Sequence, residues 1–84
     1  VGTEAASLPL ADGVTSVAVN NLSEANAALA MDRNPWHGEA LCLPAGEMLV
    51  LPARRGTSPP RVWFGLTHGA GLLEFKFLKN LELP

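Results

Sequence analysis

The stretch LPAGEMLVLPA (residues 43–53) holds a strand end, a turn, a second strand and a stop. Pro44 and Gly46 supply the backbone angles a reversal needs, and Pro52 ends the ladder because it has no amide hydrogen to donate. Between them Met48 and Val50 share one face, while Leu49 and Leu51 share the other. Apolar residues on both faces predict a strand covered on both sides. The segment EALCL (39–43) precedes the turn and GEMLVLP (46–52) follows it, so the two read as a hairpin.

Working outward, the same period-two pattern recurs. In ADGVTSVAVNN (11–21) an Asp12-Gly13 turn is followed by Thr15, Val17 and Val19 alternating with Ser16, Ala18 and Asn20. In RVWFGLTH (61–68) Val62, Phe64 and Leu66 face one way, Trp63, Gly65 and Thr67 the other. The cleanest alternation is LLEFKFLK (72–79), with Leu73, Phe75 and Phe77 inward and Glu74 and Lys76 outward. One segment is ambiguous: SEANAALAMDRNP (23–35) has a Ser23 N-cap and a run of alanines, so its propensity is helical over 23–32. The short, closely spaced strands around it favour instead a strand from about Ala27 to Asp32 that pairs back on residues 15–20, and tertiary context overrides propensity in such windows. The expectation is an all-β chain: one compact antiparallel β-sandwich of six or seven short strands spanning 1–84, with 1–10 and 80–84 as extended arms. A helical 23–32 would make it α+β.

A domain of 84 residues has a small core, burying about 60 to 65% of the surface its unfolded chain exposes. Yet 48% of its residues are apolar and only 17% charged, against about 25% in an average soluble domain. Polar side chains are too few to cover so small a body, which implies a partner over part of it. No apolar run reaches the roughly 18 to 20 residues of a spanning helix, and residues 1–10 do not read as a signal peptide. Lone Cys42 forms no internal disulfide, and within the apolar EALCL it reads as a buried, inert thiol. A net charge of −2 argues against a general nucleic-acid binder. Residues 1–53 hold six carboxylates against Arg33 alone, a balance of −5; from 54 onward five basic residues face Glu74 and Glu82, a balance of +3. Segregated on two faces, these halves favour head-to-tail contact between copies or docking on an acidic surface; interleaved, both are simply solvated.

No catalytic constellation emerges. His37-Gly38-Glu39, with His68 distant, is the only metal-like grouping, and it lacks the third and fourth ligands that zinc requires. Cys42 has no base beside it in the sequence, and phosphate loops and triad signatures are absent. The reading is therefore not an enzyme, with no cofactor and no metal. Candidate partner-binding residues are Trp36, in the turn-like NPWHG, and the loop arginines Arg54, Arg55 and Arg61. Trp36 is either a plug over an open end of the sandwich or an exposed anchor. Trp63, opposite the Val62 and Phe64 face, requires cover other than solvent.

The order SVAVNN, ALAMD, LPAGEMLVLPA, RVWFGLTHGAG, LEFKF over roughly residues 14–78 resembles small all-β phage virion proteins, the capsid decoration (cement) and head-tail accessory subunits. That resemblance implies a β-sandwich that is oligomeric or shell-bound, a structural part of a virion assembled in the host cytoplasm. Its partners would be copies of itself and a major capsid or other virion protein, with neither nucleic acid nor membrane. LPAGEMLVLPA and LEFKFLKN are also similar to pieces of starch-binding modules, which implies the alternative: a carbohydrate-binding module with Trp36 and Trp63 as stacking platforms.

Overall fold

The structure, a computed structural model, describes residues 1–53 and 60–79. Seven strands form: β1 (Ala6–Pro9), β2 (Val14–Asn21), β3 (Ala27–Met31), β4 (Leu41–Leu43), β5 (Met48–Pro52), β6 (Arg61–Leu66) and β7 (Leu73–Lys79). They make two antiparallel sheets, one in the order β1-β6-β3-β4 and one in the order β5-β2-β7. The alanine-rich segment is strand β3, but it pairs with β6 and β4 and not, as expected, with residues 15–20, because β2 lies in the other sheet. Small side chains suit it there: Ala27 and Leu29 enter the core, while Ala28 and Ala30 lie buried on the opposite face.

The core lies between the sheets. Val14, Val17 and Val19 of β2, Leu51 of β5 and Leu73 of β7 pack against Ala27 and Leu29 of β3, Leu43 of β4, and Val62, Phe64 and Leu66 of β6. Phe75 joins from β7, its ring tilted against that of Phe64 at a centroid distance of 4.8 Å, an aromatic geometry that adds to simple burial. A register shift in β2 between Val14 and Ser16 lets Val14 and Val17 both face inward, with the Thr15 hydroxyl donating to the Leu78 carbonyl at 3.3 Å.

The predicted hairpin over 39–52 does not form. β4 pairs with β3 in one sheet and β5 pairs with β2 in the other, so the Pro44-Ala45-Gly46 turn carries the chain across the sandwich. The cause is Asn21, at the end of β2 and fully buried. Its side-chain amide donates to the Leu43 carbonyl at 2.9 Å and the Ala25 carbonyl at 2.8 Å, and its Oδ1 accepts from the Ser23 amide and hydroxyl at 3.0 and 2.6 Å. Its backbone amide donates to the Glu47 carbonyl, and its own carbonyl accepts from Gly46. Both ends of the turn are thereby held to the last residue of β2. Gly46, at φ 80°, gives the reversal a backbone that other residues adopt at a cost.

Only β3 and β4, joined through a 3-10 turn at Pro35–His37, are neighbours in sheet as well as in sequence; the other connections lead from one sheet to the other. Of residues 1–10, expected as an extended arm, Thr3 and Glu4 bend and Ala6–Pro9 form an edge strand of the chain's own sheet. Ala6–Pro9 pairs with β6, the Gly2 carbonyl accepts from Leu66, and Val1 exchanges two hydrogen bonds with Gly71. The expected arm at 80–84 lies outside the described residues, as does the loop at 54–59.

Candidate interaction site

Neighbouring strands of the three-stranded sheet place residues in rows. On its outer face the rows are Met48, Asn20 and Glu74; Val50, Ala18 and Lys76; and Pro52, Ser16 and Leu78. Met48 is 65% exposed and Val50 50%. The strand expected to be covered on both sides is thus covered on one: Leu51 enters the core and Leu49 packs against it, while the Met48 and Val50 side lies open among the described residues. Apolar side chains there gain by being covered, and Glu74 and Lys76 border them. On the inner face of the same sheet Phe77, expected in the core, is 42% exposed because β7 is an edge strand with no neighbour beyond it among the described residues.

The outer face of the four-stranded sheet is different. Here the 3-10 turn packs across β3 and β6. Asn34 caps it, its side chain accepting from the Trp36 amide at 2.9 Å. The Trp36 indole sits directly on Gly65: a Cβ built there would lie 2.9 Å from Cζ2 and 3.2 Å from Cε2 and Nε1. Its N–H donates to the Thr3 carbonyl at 3.0 Å, fastening the N-terminal segment, and 42% of the residue stays exposed. Trp36 is therefore a cover over a sheet face rather than over an open end. Trp63, on the same face, is half-buried between its strand partners Ser7 and Ala30.

Arg61 is held within the fold: its Nε donates to the Ser7 hydroxyl at 2.9 Å, and its backbone exchanges hydrogen bonds with Asp32. Asp32 takes a left-handed backbone, φ 59°, which an aspartate tolerates better than most residues. Arg54 and Arg55 lie outside the described residues. Trp36 and Arg61 share the outer face of one sheet, whereas the most exposed large apolar residues of the other sheet, Met48 and Val50, were not singled out because turn-flanking alternation looks the same with either face outward.

Cys42, expected to be buried, is exposed on the outer side of edge strand β4. Between the edges of β4 and β5 a cavity of about 450 Å³ opens, lined by Leu29, Met31, Leu41 and Leu51 with Arg33 and Glu39 at its margin. Among the described residues no three His, Cys, Asp or Glu side chains converge as a metal site would require. The two sequence halves do not segregate: each sheet mixes strands from both. No protein-family model, curated protein or solved structure matches this chain.

Proposed function

We propose that this chain is a structural subunit that works by associating with other protein surfaces, copies of itself included, and that the assembly is a phage virion in which it decorates or cements neighbouring shell subunits. The observation that carries the reading is the pair Met48 and Val50, side by side on the outer face of β5 and 65% and 50% exposed. Covering apolar surface of this kind yields about 25 cal/mol per Å², less the entropy of docking. Catalysis plays no part in the proposal. Mass spectrometry of particles purified from cells that encode the chain tests it: its peptides are expected at many copies per particle, and their absence from particles would contradict the virion reading.

A second reading, carbohydrate binding, draws on Trp36 and Trp63 occupying one sheet face, with Trp36 laid on Gly65 and partly exposed. An aromatic ring fixed on backbone offers a surface on which a sugar can stack. Affinity electrophoresis in glucan-containing gels separates the two. The structural reading expects unchanged mobility, and retardation abolished by Trp36→Ala would favour the sugar.

A further inference from the structure

We propose that a second copy of this chain pairs antiparallel along β7, about a two-fold axis at Phe75, joining two three-stranded sheets into one of six strands. This rests on the associative reading above and names the surface that copies use on one another. The two described sheets have four edges. β1 is four residues long and ends at Pro9, β4 is three residues long, and β5 ends at Pro52. Shortness and proline protect an edge against pairing, as do charged side chains, of which β7 carries Glu74, Lys76 and Lys79, available for pairing with opposite charges. β7 runs for seven residues, LEFKFLK, with neither proline nor glycine. Along it Phe77 shares the inner face with Val17, its fully buried neighbour in β2, yet is 42% exposed itself. A strand added beyond β7 would flank that ring.

The register follows from facing and charge. Residues opposed in an antiparallel pair lie on the same face, so the two-fold axis must pass through a residue of β7 rather than between two. With at least five residues opposed, the axis falls at Phe75, Lys76 or Phe77. At Lys76 that lysine meets its own copy. At Phe77 no opposite charges meet, and Lys79 comes to lie against Phe75. At Phe75, Glu74 faces the second copy's Lys76 and Lys76 its Glu74, while Leu73 meets Phe77 on the inner side, twice over by symmetry. This register alone sets Glu74 and Lys76 against opposite charges, leaving Lys79 beyond the opposed residues, and flanks the exposed ring with an apolar residue.

Light scattering during size-exclusion chromatography, from micromolar to millimolar concentration, tests the pairing in the intact chain, with circular dichroism as the check on folding. The wild type is expected to form a dimer. Lys76→Glu and Glu74→Lys, each replacing two attractive pairs by two repulsive ones, are expected to raise the dissociation constant about tenfold or more. The double exchange Glu74→Lys with Lys76→Glu restores both pairs and is expected to restore the dimer. A monomer at every concentration, a dimer indifferent to the single reversals, or a double exchange without rescue would overturn the proposal. Among these results, a dimer lost in Met48→Asp but not in Lys76→Glu would move the contact to the outer face of the sheet, so β7 pairing would fail while the associative reading stood.

Discussion

Asn21 shows how much one side chain decides. It uses its amide hydrogens on the carbonyls of Ala25, in the connection to β3, and Leu43, in β4, and its oxygen on Ser23, and no buried side-chain polar atom among the described residues lacks a partner. Truncating it removes two buried donors at once and leaves the Ala25 carbonyl to the Ser23 hydroxyl alone, a larger loss than one average hydrogen bond. Asn21→Ala is expected to lower stability by about 3 kcal/mol or more in urea denaturation. Asn21→Asp, nearly isosteric but aiming an acceptor at two carbonyls, is expected to do at least as much damage, and a stability equal to wild type would remove Asn21 from this role. Gly65 is the second decisive position, because its missing Cβ is the space Trp36 occupies. Gly65→Ala should push the indole off β6, cost about 1 to 3 kcal/mol as overpacking does, and shift tryptophan emission to longer wavelength. Neither role was legible. An asparagine ending a strand has the same letters whether it solvates a turn or sits in a core, and Cys42 looked buried because its apolar neighbours in EALCL belong to an edge strand with one open side.

At the scale of elements, alternation carried most of the reading. β2, β5, β6 and β7 follow from period-two patterns, and β3 from the spacing of its neighbours against the helical propensity of its alanines. Pairing was another matter. The Pro44-Ala45-Gly46 turn satisfies its own backbone, with Glu47 donating to the Pro44 carbonyl, in the way a hairpin turn would. What separates a hairpin from a crossing is the partner each flanking strand finds, and that information sits in β2 and β3, far along the chain. Gly46→Ala is expected to cost about 1 kcal/mol from its positive φ alone. Cross-strand nuclear Overhauser contacts between the α-protons of β4 and β5 should be absent, and those linking Ala28 to Cys42 and Ala18 to Val50 present; the reverse pattern would restore the hairpin.

For the whole molecule, the shortage of charged residues found its structural counterpart in the faces left open. Met48, Val50 and Phe77 belong to the sheet that has three strands rather than four, and they lie where solvent or a partner must meet them. Among the described residues, strands from both halves of the sequence interleave within each sheet. Of the proposed site residues, Trp36 and Arg61 stand together on the opposite sheet, each tied by hydrogen bonds to the N-terminal segment; the composition foretold an apolar excess but not where it would surface. The proposed association requires the outer face of β5, at Met48 and Val50, to be a docking face. Co-sedimentation of the purified chain with particles from cells that encode it, stripped of their own copies, reads this directly. Wild type should travel with the particles while Met48→Asp, folded as judged by circular dichroism, stays behind; wild type left in the supernatant, or both chains pelleting alike, would contradict it.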